Sequence, residues 1–237
     1  INGTLDPTAT YSFSGTGDLL VNASGTIMVK AATFAANYAS TGIITLNGRS
    51  TVNYASATIN QNISASLTYG YLRISGGMTK YLVANLPALN SSGSTSGRIY
   101  VDAGTFDLQT FTANRGTTSG GGSVTIAIGE TMKIGGTNGF PTNYSSVSIA
   151  SNSTVNYYGN NQSIADFNYG HLTFESSSAV ATKTMPGTTL VIAGNFTSQA
   201  GAGTGVTFSA GSNITVNRNI VFDAGTTFNA GTYTHNF

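Results

Sequence analysis

The chain has no cysteine and no tryptophan, only four prolines, and only nine basic and eight acidic side chains in 237 residues. Without cysteine there are no disulfides, no thiolate metal sites and no catalytic thiols, so stability has to come from backbone ladders and packing. A charged fraction of 7% stands far below the usual quarter. Helical surfaces are normally built from Glu, Lys and Arg, whereas strands and turns can be surfaced with Thr, Ser, Asn and Gly. The shortage of charge therefore points to an all-β protein with an uncharged polar skin. A formal net charge of +1 leaves no electrostatic footprint for nucleic acid or an anionic membrane. Apolar runs such as Leu19-Leu20-Val21 are far too short to span a bilayer. The 40% of hydrophobic residues is ordinary for a folded chain and excludes a disordered tail.

What is present is repetition. Ser50-Thr51-Val52-Asn53-Tyr54 returns as Ser153-Thr154-Val155-Asn156-Tyr157, an offset of about 100 residues. Gln61 and Ile63 return as Gln162 and Ile164, Tyr69-Gly70-Tyr71-Leu72 returns as Tyr169-Gly170-His171-Leu172, and Thr79-Lys80 returns as Thr182-Lys183. Self-similarity of this kind marks a repeat architecture. It divides the chain into copy one at 1–96, copy two at 97–186 and a partial copy three at 187–237, with no linker visible between them. The first residue is Ile1, no signal-peptide pattern follows it, and Gly231 to Thr234 reads as mid-repeat sequence. The expectation is a portion of something longer.

A shorter grammar is nested in the long repeat. Gly17 to Val29, Ser123 to Ile134 and Val206 to Val216 each read as strand, glycine corner, strand. Successive segments lie about 24 residues apart, as between positions 19 and 43, 99 and 124, and 124 and 147. Near the end the interval from 206 to 220 is shorter. About four coils per long repeat follow. The fold expected is a parallel β-solenoid (β-helix), in which each coil buries its inward side chains on the next. The alternative is a row of β-sandwich domains, which a period near 100 also fits. The sub-period near 24 and the missing Trp and Cys pair disfavour it.

Alternation predicts inward positions at Leu19, Val21, Ile27, Val29, Ile44, Leu46, Val52, Ile126, Ile128, Val155, Phe208, Ile214 and Val216. Asn53 and Asn156, at the same place in the two copies, are expected to stack as an amide ladder. Ten coils at roughly 4.8 Å each would make a rod of roughly 50 Å, with the termini at opposite ends.

Chemistry is sparse. His171 and His235 have no neighbouring His, Cys or carboxylate cluster in sequence, and His171 stands where copy one has Tyr71. Both are read as structural. Of the carboxylates Asp6, Asp18, Asp102, Asp107, Glu130, Asp166, Glu175 and Asp223, Asp102 and Asp223 each open an Asp-Ala-Gly-Thr turn, which explains them as corner residues. No loop gathers enough carboxylates for calcium, and Gly120-Gly121-Gly122 lacks the Lys-Ser/Thr of a phosphate loop. No residue is assigned a catalytic, cofactor-binding or metal-ligating role, and no cofactor is expected. The tyrosines repeating across copies (Tyr38/Tyr144, Tyr54/Tyr157, Tyr69/Tyr169) could stack on sugars, but are read first as structural. The many Thr positions are too scattered for an ice-binding face.

The pattern from Ser153 to Lys183, together with Asn219 to Phe237, resembles a repeat found in giant surface proteins of Bacteroidota. That resemblance implies an extracellular, cell-surface adhesin or filament component, exported by the type IX secretion system and in some cases linked to gliding. The function expected is a stiff, uncharged stalk rather than an enzyme, insensitive to salt and pH. Its partners would be other segments of the same long chain or neighbouring copies, and surface polysaccharide, with no nucleic acid and no membrane insertion by this segment. The alternative is a carbohydrate-binding or carbohydrate-active β-helix, which would gather Asp102, Asp107, Arg98 and Arg115 on one face.

Overall fold

The computed structural model describes residues 1–40, 42–117 and 120–237. It is nearly all β, with 2% helix, and winds as a parallel β-solenoid of about 10 turns. Every strand pairing whose register is resolved is parallel, including Thr26–Val29 with Thr51–Tyr54 and Thr154–Tyr157 with His171–Ser176. Sandwich domains are built from antiparallel hairpins and Greek keys, so the alternative fold is excluded. The one helix among the described residues is a single turn, Phe34–Asn37, which the sequence reading did not anticipate. It is closed by Thr33, whose hydroxyl accepts the Ala36 amide. Asn37 replaces missing ladder bonds there, accepting from Lys30 and Ala31 and donating to the Thr8 and Tyr11 carbonyls.

Two compact units can be distinguished. The first comprises 1–107, 111–125 and 141–148, the second 108–110, 126–140 and 149–237. The first unit is built on a parallel sheet whose strands include Thr4–Leu5, Thr26–Val29, Thr51–Tyr54, Tyr71–Ile74, Arg98–Val101 and Ser123–Ile126, in that order. Along it successive coils run from Thr26 to Thr51, from Thr51 to Tyr71 and from Tyr71 to Arg98, so coil length varies within one sheet. The second unit stacks Thr131–Ile134, Thr154–Tyr157, His171–Ser176, Phe196–Gly201 and Ile220–Phe222. Its second face carries Gln162–Ser163, Val180–Thr184, Gly205–Ser209 and Thr226–Asn229, and its third Leu190–Ile192, Ile214–Val216 and His235–Asn236. The short interval between Val206 and Ile220 joins two different faces. In register, Val206 lies beside Thr226 and Ile220 beside Phe196.

Alternate residues of each strand point inward, and their ladders make the core. Val21, Ile27, Val29, Val52, Ile126, Val155, Phe208, Ile214 and Val216 are buried as expected. Leu19, Ile44 and Leu46 are only half-buried. Ile128 is 72% exposed, and its inward assignment is corrected. The strand ends at Ile126, and Ile128-Gly129 forms the corner, with Gly129 at φ +84°, so period-two alternation stops before it. The amide ladder is not formed either. Asn53 lies in register between Met28 and Arg73 in the first unit, and Asn156 between Lys133 and Thr173 in the second. The glycines of the repeated Tyr-Gly corners have a steric cause. A Cβ on Gly70 would run into the Asn47 and Gly48 backbone beneath it, and one on Gly170 into Ala150 and Ser153.

Candidate functional site: interior clamps and an outward tyrosine–arginine block

The residues that repeat most faithfully are buried. In copy one the Tyr54 and Tyr69 hydroxyls meet at 2.9 Å, Tyr54 accepts the Ser64 amide, and Tyr69 donates to the Ser64 carbonyl. In copy two Tyr157 and Tyr169 meet at 3.1 Å and hold the Ala165 amide and carbonyl in the same way. Beside each pair sits a buried glutamine. Gln61 accepts the Ser56 amide and donates to the Val29 and Ala31 carbonyls; Gln162 accepts the Gly159 amide and donates to Ile134 and Asn138. The glutamines add a second bond to the Val29 and Ile134 carbonyls, which also accept the Ala55 and Tyr158 amides, and bond the Ser56 and Gly159 amides and the Ala31 and Asn138 carbonyls at the corners. Burial raises all four phenols, Tyr54 and Tyr157 to about 12 and Tyr69 and Tyr169 well above their ordinary value.

In register with each glutamine lies a lysine that water does not reach. Lys80 donates to the Ser56 and Met78 carbonyls, at 2.8 and 3.1 Å. Lys183 donates to the Gly159 and Asn160 carbonyls and to Gln162 Oε1, at 2.8, 3.1 and 2.6 Å. Burial lowers Lys80 to about 8 and Lys183 to about 7, the latter opposed by the Glu175 carboxylate. Two titratable lysines thus lie in the interior of a chain with few charges on its surface, and a dependence of stability on pH is expected from them.

The carboxylates and arginines singled out in sequence are dispersed among separate tasks. Asp223 is the corner residue expected, accepting the Gly225 and Ala200 amides at 2.9 and 2.7 Å. Asp102 opens the same tetrapeptide but gives its carboxylate to Arg73. Asp107 is buried in the strand Thr105–Asp107. Arg115 is 1% exposed and donates to the Ser96 and Gly93 carbonyls, at 2.9 Å each. Part of its loop, Thr118 and Ser119, lies outside the described residues. Asp6 pairs with Lys30, Asp18 accepts the Ile43 amide, and Glu175 accepts from Gln199. Of the four residues an active groove would need, Asp107 and Arg115 are buried, and only Arg98 and Asp102 reach the surface. Both histidines accept a backbone amide through Nδ1: His171 from Asn195 at 2.9 Å, His235 from Ile214 at 3.1 Å. Among the described residues no group of three His, Cys, Asp or Glu side chains could hold a metal ion.

One group on the outside does converge. In Tyr71–Ile74 and Arg98–Val101 the inward Leu72, Ile74, Ile99 and Val101 are fully buried, so Tyr71, Arg73, Arg98 and Tyr100 point outward. Register places Arg98 beside Tyr71 and Tyr100 beside Arg73. The Arg98 guanidinium lies 5.0 Å from the Tyr71 ring centroid, and that of Arg73 5.7 Å from Tyr100, both within cation–π range. Thr26 and Thr51 on one side, and Ser123 and Thr125 on the other, complete a trough of about 380 Å³. The nearby Asp102 carboxylate holds the Tyr100 phenol above its usual value. Sequence reasoning named Arg98 and Asp102 without linking them to Tyr71 and Tyr100. The available signal was Tyr-x-Arg answered one coil later by Arg-x-Tyr.

Compared with protein-family models, curated proteins and solved structures, the chain has no match in any of the three.

Proposed function

We propose that this chain is a structural segment of an extracellular, cell-surface protein of the repetitive adhesin or fibre kind, working as a stiff stalk rather than as a catalyst. The observation that carries the reading is the pair of interior clamps. Buried Tyr–Tyr, Gln and Lys groups recur in both copies and serve only to tie corners to the coils beside them. Parallel ladders add one set of backbone bonds per coil, so resistance to unfolding accumulates along the stack. A surface with little charge suits a spacer with few points of contact along its length. The resemblance to giant surface proteins of Bacteroidota points the same way, and export by their secretion route belongs to the proposal.

Single-molecule stretching between the chain ends tests it. A stalk should hold as cooperative blocks and release in few steps, each residue contributing roughly 3.5 Å of extended chain. Gradual yielding without steps, or turnover of a polysaccharide by the protein, would contradict the reading.

A further inference from the structure

The Tyr71–Arg73–Arg98–Tyr100 block has no counterpart in the interior logic of the fold. At the matching place in copy two the outward residues are His171 and Thr173, and the next strand offers Thr197. The coil therefore closes without two arginines and two tyrosines on its surface, while the inward residues beneath remain large and apolar in both copies. Something other than stacking of the coils accounts for the block.

Its chemistry is specific. Arg73 is neutralised by Asp102, but Arg98 is exposed and makes no ion pair among the described residues. One uncompensated guanidinium thus stands at the centre of the trough. Each tyrosine has an arginine on one side only. On its other side Tyr71 is followed in register by Thr51, a short side chain, and Ser123 and Thr125 line the trough beyond Tyr100. Each ring thereby keeps one face open above a floor of hydroxyls. An aromatic face carries partial negative charge and attracts the slightly positive C–H face of a flat saturated ring. Guanidinium binds carboxylate through two parallel hydrogen bonds, and the Thr and Ser hydroxyls can donate or accept.

We infer that this trough binds a carboxylated polysaccharide, its pyranose rings lying on Tyr71 and Tyr100 and a uronate carboxylate on Arg98. A polymer rather than a single sugar fits because the trough is open and runs across several strands, from Thr26 to Thr125. A nucleic acid is disfavoured by its charge density. A single arginine without an ion pair in the trough of a chain of net charge +1 cannot replace the counterions of successive phosphates. The site adds a point of attachment to the stalk and does not depend on the stalk reading.

The test is affinity electrophoresis of the full chain through gels containing polygalacturonate, alginate or hyaluronan, with methyl-esterified polygalacturonate as the arm that keeps the rings and masks the charge. At least one carboxylated polymer should retard the protein, and the ester should retard it far less. Arg98→Ala should weaken the retardation about tenfold or more, the usual worth of a charge-assisted pair, and Tyr71→Ala should weaken it several-fold. Arg49→Ala, an exposed arginine outside the trough, should leave it unchanged. All these positions are at the surface, and unchanged melting of the variants establishes that the fold is intact. Absence of retardation by all three polymers overturns the inference. So does equal retardation by the ester, or equal loss in Arg49→Ala and Arg98→Ala.

Discussion

Copies one and two agree in their interior clamps and part in one stretch of the outer surface, although outward Thr51 and Thr79 do return as Thr154 and Thr182. Tyr54, Tyr69, Gln61 and Lys80 are answered by Tyr157, Tyr169, Gln162 and Lys183, with the same hydrogen-bond pattern around both tyrosine pairs. Outside, Tyr71 and Arg73 are answered by His171 and Thr173. A coil constrains the residues that must satisfy buried backbone groups and leaves the outer rows free for other uses. The two interiors are still not identical. Lys183 bonds its glutamine, whereas Lys80 reaches only backbone carbonyls.

That difference gives the largest expected effect. Gln61→Leu strands the Ser56 amide and the Ala31 carbonyl, while the Val29 carbonyl keeps the Ala55 amide, and should cost roughly 2 kcal/mol or more. Gln162→Leu strands an equivalent set and also removes the 2.6 Å acceptor of the Lys183 ammonium, adding about 1.5–3 kcal/mol. Denaturant titration of both variants reads the difference, and equal losses would erase the distinction between the clamps.

Dependence on pH comes next. Both lysines titrate lower in the folded chain than their ordinary 10.5, so the unfolded chain binds more protons between about pH 7 and 10.5. Stability should therefore rise with pH through that window. The buried phenols, raised from 10.0 to about 12 at Tyr54 and Tyr157 and well above it at Tyr69 and Tyr169, act oppositely. Above pH 10 the unfolded chain loses protons that the folded chain keeps, and stability should fall. Melting curves from pH 6 to 12 should peak near pH 10. In Lys183→Met the rise beginning near pH 7 should flatten, and in Lys80→Met the part beginning near pH 8. A profile that both substitutions leave unchanged would count against buried lysines.

Smaller effects belong to single hydroxyls. Tyr69→Phe and Tyr169→Phe each remove a donor to a carbonyl at 2.7 Å and should cost about 1–2 kcal/mol apiece, less at Tyr169, whose Ala165 carbonyl keeps the Phe167 amide. Arg73→Thr imports the outward residue of copy two. Its ion pair with Asp102 is partly exposed, so stability should change by less than about 0.5 kcal/mol; a larger loss would make the outer block structural.

The repeats and the solenoid were legible in the sequence because burial imposes period-two alternation and the coil imposes its own period. The intervals 19–43, 99–124 and 124–147 join neighbouring strands. Faces were harder to assign. A short coil, from Thr154 to His171, coexists with a long one, from Tyr71 to Arg98, so spacing alone could not show that Val206 and Ile220 occupy different faces. Ile128 deceived because alternation carries no mark of where a corner begins. The outer block was hidden because Tyr71 and Arg98 become neighbours only once the long coil between them is in register. The lysines were visible as repeats, but their burial depends on carbonyls at corners that no side-chain pattern reveals.

Parallel coil register is the claim on which the rest stands, and a chain without cysteine makes it directly measurable. Register pairs Leu20 with Thr45 and Thr197 with Val221, which sets their Cα atoms about 5 Å apart, within reach of a disulfide. Leu20→Cys/Thr45→Cys and Thr197→Cys/Val221→Cys should each oxidise readily to a crosslink in the native protein. Controls displaced along the partner strand, Leu20→Cys/Asn47→Cys and Thr197→Cys/Asp223→Cys, should not. Crosslinking of the displaced pairs in preference to the registered ones would contradict the solenoid.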